Sequence, residues 1–262
     1  MNLSIIIVSH NHDQYIRGCL ESLMDHLSNT SYEIILVDNV GSAPLKALIH
    51  GEFPEIKLLV NSRKQGFAQN CNQGFRASRG RYVLFLNPDT RFLKGDFSDF
   101  IRRMEEIPDM GVACGRLLNA DLSPQATIRR FPTFFAVLFR GFKLEKFFGL
   151  SSAQKVYLME GENLSEQMEI DWCLGAFIMI HRELFEKVGM FDERYFLYYE
   201  DIDLCYRLRE AGRRNYFFPE VQVIHYYQRD SSRKILNKNK LWHISSILKF
   251  FWKHKYLIQP GI

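Results

Sequence analysis

The sequence lacks the cysteine pattern of a disulfide-rich or zinc-binding protein. Its five cysteines are odd in number, scattered along the chain, and include no CxxC pair. Small disulfide frameworks use an even set of cysteines, and structural zinc sites place two cysteines close together in sequence. The pattern therefore predicts reduced thiols in a cytoplasmic protein, with no zinc site.

Long apolar runs are absent as well. No stretch reaches the roughly 18 uncharged apolar residues that a membrane span requires. The opening residues, MNLSIIIVSHN, have no basic region before their short apolar run, so we do not expect a signal peptide. With 262 residues, no internal repeat and no low-complexity linker, the chain fits one large α/β domain, or one domain with an appendage.

The glycine-rich motifs of common nucleotide-binding proteins are missing too. No GxGxxG follows the first apolar run, and no GxxxxGK[ST] occurs anywhere. These loops hold phosphates in dinucleotide dehydrogenases and P-loop NTPases. The sequence disfavours both classes, so a nucleotide would have to be held in another way.

The net positive charge of the chain comes from its carboxyl end. Residues 229–262 hold eight Lys and Arg against one acid, while residues 1–228 are net negative within a chain of formal net charge +4. This asymmetry argues against nucleic acid as a partner and for one local anionic surface. A basic amphipathic helix is predicted over 238–256, and its apolar stripe consists of Ile244, Ile247, Leu248 and Phe251. Such a helix fits a membrane surface, or a terminal helix packed on the domain with a solvated basic face.

Short β-branched apolar runs alternate with helix-like stretches in the first half of the chain. Strands are predicted at 4–9, 33–38, 56–60 and 81–89, with helices near 43–50 and at 66–78. Runs that are apolar throughout are typical of strands buried on both faces. The alternation predicts an α/β fold with a Rossmann-like, mostly parallel doubly wound sheet and helices on both faces. The second half is less regular, with strands expected at 111–118, 172–180, 215–218 and 221–225.

Polar side chains end each predicted strand of the first half, where ligands bind in doubly wound sheets. They are Ser9, His10 and Asn11, then Asp38 and Asn39, then Asn61, and finally Asn87 and Asp89. Asp38 fits a base imino N–H or a ribose hydroxyl, or alternatively an Asx turn. Asp89 fits a divalent ion beside a diphosphate, or again a turn. His225, at the end of a late strand, fits a divalent ion or a structural role.

The stretch FLYYEDIDLCYRL, residues 196–208, places three carboxylates at the start of a predicted helix. Acids often serve only as caps there. In a helix that begins near Glu200, however, Asp201 shares the inward face with apolar residues, and a carboxylate there is costly without a task or partner. Asp201 is therefore a candidate for a catalytic role, with capping as the alternative. Asp203, about 200° further around the helix, should point elsewhere, and Asp203→Asn should be mild.

The motifs described above, taken together, resemble those of one enzyme family. In order and spacing, the chain is similar to family 2 glycosyltransferases of the GT-A fold, in the bacterial rhamnosyltransferase-like branch. The resemblance covers nearly the whole chain. The matching segments are SIIIVSHN, LVDN, NSRKQGFAQNCNQGF, YVLFLNPDT, RRFPT, WCLGAFIMIHRELFEKVGMFDERYFLYYEDIDLCYRL, VIHYY and HISSILKFFWKH.

The resemblance implies roles for the matching residues. Asp201 would be the general base, and Asp89 and His225 would hold Mg²⁺ or Mn²⁺ beside the donor diphosphate. The base and the acceptor would be supported by Glu200, Trp172 and Arg130. Nucleotide and sugar contacts would come from Ser9, Asn11, Asp38, Asn39, Asn61, Gly66, Phe67, Asn70, Asn87 and Arg229. The usual Asp-x-Asp metal motif reads Asn-Pro-Asp here, which removes one charged ligand.

The resemblance also implies the reaction, an inverting transfer of a sugar from a dTDP- or UDP-sugar. The leading expectation is L-rhamnose from dTDP-L-rhamnose onto a polyprenyl-diphosphate-linked glycan, as in O-antigen synthesis. The alternatives are a UDP-hexose-dependent enzyme of the same fold, or a sugar-phosphate nucleotidyltransferase. The second would need a glycine-rich basic loop after the first strand, and the segment found there, SHNHDQYI, is not such a loop.

The resemblance sets the expected organisation and location too. Residues 1–118 would form the nucleotide-sugar-binding half of a domain over 1–228, residues 119–228 the acceptor and catalytic half, and 229–262 a tail. The protein is expected in the cytoplasm, peripheral at the inner face of the cytoplasmic membrane. Its partners would be the donor, the lipid-linked acceptor and the membrane, and a homodimer is left open.

Overall fold

The computed structural model describes residues 1–133, 155–226 and 238–255, so Arg229 lies outside the described residues. The strands are β1 (Leu3–Ser9), β2 (Tyr32–Asp38), β3 (Lys57–Val60), β4 (Tyr82–Leu86), β5 (Thr90–Lys94), β6 (Met110–Leu118), β7 (Ile128–Arg129), β8 (Met168–Ile170), β9 (Trp172–Cys173), β10 (Phe177–His181) and β11 (Arg214–His225). The helices are α1 (Asp13–Met24), α2 (Ala43–Glu52), α3 (Phe67–Arg76), α4 (Phe97–Glu105), α5 (Arg182–Lys187), α6 (Glu200–Glu210) and α7 (Lys238–His254).

One large sheet organises the molecule, with strand order β3-β2-β1-β4-β10-β6-β11-β5 and β8 paired to β11. Six of its nine strands run in one direction, while β5, β8 and β10 run the other way. The prediction of a mostly parallel sheet in an α/β fold is therefore confirmed. β1 lies between β2 and β4, so the order of the strands changes direction beside it, which is where ligands bind in open α/β sheets.

Two predicted strand boundaries were wrong. The run 172–180 is two strands, because the chain turns at Gly175: β9 pairs with β7 in a separate two-stranded sheet, and β10 enters the large sheet antiparallel to β4. Conversely, the runs 215–218 and 221–225 form one strand, β11, whose register against β6 shifts between Phe218 and Gln222. Hydrophobicity marks both runs but cannot specify a turn or a bulge within them.

The first half of the sheet forms because β1, β2 and β4 carry apolar side chains on both faces. Every residue of β1 and β4 is buried, including Ile5, Ile6 and Ile7. Helix α3 packs close to β1 at Gly74, where a Cβ atom would lie 2.5 Å from a methyl carbon of Ile6. This approach packs the carboxyl-terminal half of α3 against the middle of β1. All five cysteines are buried free thiols.

Helix α7 packs on the domain through Ser246, Phe250 and Phe251, which are buried. The predicted stripe is therefore wrong as a single face, since Phe251 points inward while Ile244 and Leu248 are more than half exposed. The helix has apolar side chains on two faces, so periodicity alone could not choose the inner one. None of the described helices is long and apolar enough to cross a membrane. The domain boundary expected at residue 228 stays a prediction.

The carboxylate of Asp203 joins α7 to α6. It is fully buried, and its oxygens lie 2.7 Å from Lys253 Nζ, 2.7 Å from His254 Nε2 and 2.8 Å from Arg207 Nε. The hydroxyl of Tyr195 also donates to it, at 3.2 Å. Burial alone would raise the pKa of Asp203, but His254, Arg207 and Lys253 outweigh it and lower that pKa. Asp203 and Asp201 have different partners, and the mild effect of Asp203→Asn on activity stays a prediction, but its burial indicates that the change will cost stability.

Asp203→Asn should lower the free energy of unfolding by roughly 3 kcal/mol, because it removes the buried carboxylate that Arg207, Lys253 and His254 share. Urea titration measures this. The control is Asp99→Asn, whose partner Arg102 is exposed, and which should cost less than about 1 kcal/mol. The loss should be largest above the ordinary carboxyl pKa of 3.8 and should shrink as pH falls through the lowered value. Equal losses in the two variants would contradict the prediction.

Candidate active site

The carboxyl ends of β1 and β2 meet, as the sequence predicts. Ser9 pairs with Asp38 in the sheet, and the backbone N–H of Asn39 donates to Ser9 O at 2.9 Å. Asn61 joins them, because its N–H donates to Asp38 O at 2.9 Å and its amide donates to Asn70 Oδ1 at 2.6 Å. The polar strand ends therefore form one connected edge.

Asp38 is fully buried and holds the turn after β2. Its carboxylate accepts backbone N–H groups from Val40 and Gly41 at 3.0 Å each and from Ser42 at 2.6 Å. The structure thus shows the Asx-turn role that the sequence left as the alternative. One lone pair of Oδ2 remains for a ligand, so the nucleotide contact stays a prediction.

The loop before α3 is held in place by Asn39, whose side chain donates to Gln65 O at 2.9 Å and accepts from Gln65 N at 2.8 Å. At Gly66 a Cβ atom would lie 2.9 Å from Phe196 O, and the N–H of Phe67 donates to that same oxygen at 2.9 Å. Gly66 is therefore required by a close backbone approach, which joins α3 to the segment preceding α6.

The segment after β1 lies at the same edge, where Asn11 is exposed with a left-handed φ of 61°. The neighbouring His10 ring lies 3.0 Å from Lys64 Nζ. Burial, followed by the Lys64 charge, lowers the pKa of His10. Lys64 was not predicted, because nothing in its local sequence distinguishes it from a solvated lysine.

Asp89 and His225 meet at the end of β4, with Oδ1 and Nε2 3.4 Å apart. Both residues are buried. Burial would raise the pKa of Asp89, but His225, followed by His12, lowers it overall. Asn87, the residue that replaces the first acid of the motif, places its amide nitrogen 3.3 Å from His225 Nε2.

Gln125 orients the imidazole of His225. Its amide nitrogen donates to His225 O at 2.7 Å, which leaves Oε1 to accept from His225 Nδ1 at 3.0 Å. Nδ1 therefore carries a proton, and Nε2 is the ring nitrogen that faces Asp89. In metal sites, a hydrogen bond to the ring nitrogen that does not bind the metal sets the orientation of a ligating histidine. Gln125 is 100 positions away in sequence, so no local signal could have identified it.

The donor set of this corner fits a divalent cation. A carboxylate oxygen and an unprotonated imidazole nitrogen are ligands that Mg²⁺ and Mn²⁺ accept. Across residues 1–133, 155–226 and 238–255, no group of three or more His, Cys, Asp or Glu side chains is arranged to hold a metal ion. The remaining ligands would have to come from a bound molecule, which is the situation at sites where a metal ion binds together with a phosphate.

The carboxylate pair begins α6, as predicted. Tyr198 and Tyr199, with φ of 66° and 72°, lead into it in the left-handed region, a costly conformation for bulky residues. Asp201 Oδ2 accepts the N–H of Gly175 at 3.0 Å, and Oδ1 accepts that of Ile202 at 2.8 Å. Gly175 also lies against Phe67, so Asp201 lies close to the amino end of α3.

The two acids have different environments. Burial, then the charge of Asp201, raises the pKa of Glu200 well above its ordinary value, and Glu200 Oε2 is buried without a partner among the described residues. Burial also raises the pKa of Asp201, against the backbone N–H groups of Gly175 and Ile202. Burial and the Asp201 charge therefore disfavour the ionised form of Glu200, while the N–H groups of Gly175 and Ile202 stabilise that of Asp201, which suits Asp201 as a general base.

The acceptor-side residues are only partly where the sequence placed them. Trp172 is buried and its indole N–H donates to Arg130 O at 2.8 Å. The Arg130 guanidinium turns away to Asp171, at 3.8 Å, and to Glu162, at 4.0 Å. Neighbouring side chains alternate along a strand, and it is Arg129 whose charge acts on Asp201. Sequence reasoning chose Arg130 and missed Arg129.

Comparison with known proteins gives one consistent result. The family described as glycosyl transferase family 2 matches residues 4–189. Rhamnosyltransferase WbbL of Escherichia coli (strain K12) is 30% identical over 97% of this chain and 94% of its own length. An N-acetylglucosaminyl-diphospho-decaprenol L-rhamnosyltransferase of Mycobacterium tuberculosis is 24% identical over 88% and 78%. The dTDP-rhamnosyl transferase RfbF of Shigella flexneri is 24% identical over 86% and 69%.

Solved structures share the fold. The crystal structure of GalNAc-T7 with UDP, GalNAc and Mn²⁺ superposes with a TM-score of 0.66 at 16% identity. It covers 88% of this chain, which spans only 44% of that longer protein. At this identity the likeness shows the architecture alone.

Proposed function

The chain belongs to glycosyl transferase family 2, and from that premise we propose that it transfers L-rhamnose from dTDP-L-rhamnose to a polyprenyl-diphosphate-linked glycan, with inversion. The names of three relatives support rhamnosyl transfer, one of them supports the dTDP donor and another a diphosphate-linked lipid acceptor. The observation that carries the proposal is the Glu200–Asp201 pair at the start of α6, in which Asp201 accepts two backbone N–H groups and Glu200 Oε2 is buried without a partner among the described residues.

In this proposal Asp201 takes the proton of the acceptor hydroxyl as that oxygen attacks the anomeric carbon. Positioned bases of this kind contribute roughly 10²–10⁴-fold to a rate. The bond from the anomeric carbon to the diphosphate oxygen breaks on the opposite face, so a single displacement inverts the centre. The backbone N–H groups of Gly175 and Ile202 hold Asp201 in place for the attack.

Asp89 and His225 are the proposed ligands of a divalent ion, Mg²⁺ or Mn²⁺. Bound there, such an ion would supply positive charge to the leaving diphosphate. The Mn²⁺ in the structurally similar GalNAc-T7 supports this assignment. Gln125 keeps His225 in the tautomer that binds metal.

Calorimetry with dTDP-L-rhamnose, a UDP-hexose and GDP-mannose, each with Mg²⁺ or Mn²⁺, tests the donor. We expect the pyrimidine nucleotides to bind better than the purine nucleotide, through Asp38, and dTDP-L-rhamnose to bind best. Incubation with a diphosphate-linked N-acetylglucosamine acceptor should then yield an inverted rhamnoside. Binding and transfer from the UDP-hexose alone would overturn the rhamnosyl assignment in favour of a UDP-hexose-dependent enzyme.

We also propose that α7 lies on a membrane surface by its outer face. Its exposed apolar side chains are Leu241, Ile244, Leu248 and Trp252. They fall within one narrow arc of the helix, and exposed Lys249 and Lys255 lie near them. Such a helix combines apolar burial with attraction to anionic lipids. Because its inner face packs on α6, the site would be held next to a lipid-linked acceptor.

The replacement of Leu248 and Trp252 by Gln should abolish flotation of the protein with anionic liposomes. Both side chains are at least 60% exposed, so folding should not suffer. The matched control, Leu93→Gln, removes an exposed leucine 45% accessible on the edge strand β5 and should float normally. Lys253 is not a suitable lipid contact, because it is paired with Asp203. Native protein that stays with the pellet at low salt would rule the membrane role out.

A further inference from the structure

Arg129 is held by two aromatic rings at the edge of the acceptor side. It pairs with Trp172 across the β7–β9 ladder. Its guanidinium carbon lies 5.2 Å from the centre of the Trp172 ring and 5.8 Å from that of Tyr157. Contacts of this kind restrain an arginine side chain and favour its charged form. The cation is thus fixed in position before any ligand arrives.

Arg129 forms no close ion pair within residues 1–133, 155–226 and 238–255, although its charge acts on Asp201 at longer range. No carboxylate of these residues lies within 4.0 Å of Arg129 in an ion pair, and its Nε is buried without a hydrogen-bond acceptor. The adjacent Arg130, by contrast, lies near both Asp171 and Glu162. A half-buried guanidinium with an unused N–H is costly unless a ligand completes it.

The position of Arg129 assigns it to the base rather than to the metal corner. β9, which carries its stacking partner Trp172, runs directly into the turn whose Gly175 N–H binds Asp201. The Arg129 charge acts on Asp201, whereas the side chains that lower the pKa of Asp89 are His225 and His12. The two carboxylates therefore have different basic neighbours.

We propose that Arg129 binds a phosphoryl oxygen of the acceptor's own diphosphate and so holds the acceptor hydroxyl at Asp201. The inference rests on the proposed function. A guanidinium offers Nε and Nη as a planar fork that matches two oxygens of a phosphoryl group. In a sugar diphosphate this group is joined to the anomeric oxygen of the sugar that is glycosylated. One fixed cation there discriminates a diphosphate-linked sugar from a free or neutral one.

Two acceptors with the same sugar test this inference, one an alkyl diphosphate and the other a neutral alkyl glycoside. Arg129→Gln should raise KM for the diphosphate acceptor about tenfold or more, as expected for the loss of a charge-assisted pair. It should leave KM for the neutral glycoside and donor binding by calorimetry unchanged. Arg129→Lys, which keeps the charge without the fork, should restore part of the preference. Arg130→Gln is the matched control and should keep the native preference.

The outcomes separate the inference from the function on which it rests. A native protein that uses the two acceptors equally would overturn the diphosphate-linked acceptor class, and the role of Arg129 with it. A native preference that Arg129→Gln retains would overturn the role of Arg129 alone. An equal loss for both acceptors would also overturn it, because Arg129 would then act through Asp201 or through the fold.

Discussion

Asp201→Asn should lower kcat at least about 10²-fold while donor binding and the melting temperature change little. The amide has the shape of the carboxylate but cannot take a proton from the acceptor. Its oxygen can still accept one of the two backbone N–H groups, those of Gly175 and Ile202, that hold the side chain. Steady-state kinetics with saturating donor, together with calorimetry and thermal melting, separate a lost base from a lost fold.

Glu200→Gln is the matched control for Asp201→Asn. Burial and the Asp201 charge raise the pKa of Glu200, so replacement by a neutral amide should change kcat by less than about tenfold. If Glu200→Gln loses as much as Asp201→Asn, the base assignment is wrong. If Asp201→Asn loses activity only by melting, the three acids merely cap the helix.

The pH dependence of kcat follows from the same pair. Because the pKa of Asp201 is raised above 3.8 by burial, the ionised base is lost as pH falls through that raised value. The acidic limb of the native kcat profile should therefore lie above the pH range of an ordinary exposed aspartate. In Asp201→Asn the limb should vanish along with most of the rate.

Asp89→Ala should abolish turnover and weaken binding of dTDP or UDP in Mg²⁺ or Mn²⁺. It removes one of two ligands that the described residues offer, and the only carboxylate of that pair. Binding of the nucleoside without phosphates should be unaffected, because the loss acts through the diphosphate. Calorimetry with nucleoside and nucleoside diphosphate distinguishes the two.

A graded control uses the residue that orients His225. Gln125→Leu removes both hydrogen bonds to His225 and leaves both ligands in place, so it should cost about 10–100-fold. Full activity of the native protein in excess EDTA would remove the metal assignment altogether. A loss of activity in Gln125→Leu that is larger than in Asp89→Ala would also contradict the metal assignment.

The sequence could predict whatever depends on short-range pattern. β1, β2 and β4 are apolar on both faces, which marks them as central strands, and their carboxyl ends therefore indicated where the site lies. Asp201 could be chosen over Asp203 because a helix separates their directions by a known angle. The orientation of β10 could not be predicted, since it depends on a turn at Gly175 that hydrophobicity does not record.

Contacts between distant segments account for the remaining errors. Gln125 reaches His225, and Arg129 reaches Trp172, only through strand pairing that no local pattern specifies. Arg129 is the last residue of β7 and Arg130 follows it. The choice between them depended on which of these two adjacent side chains faces the site. The inner face of α7 was ambiguous because both of its faces are apolar, and Lys253 became visible as a buried partner only in the folded protein.

The contacts of α7 have a consequence for the order in which activity appears during synthesis. Ser246 Oγ donates to Leu197 O at 3.0 Å, Lys249 Nζ donates to Arg194 O at 2.7 Å, and the Trp242 ring lies 4.3 Å from that of Phe196. These contacts hold the segment that ends in the two left-handed tyrosines. Domains generally fold as units, and α7 belongs to the same packed unit as this segment. We therefore expect Glu200 and Asp201 to reach their final place only after α7 has been translated.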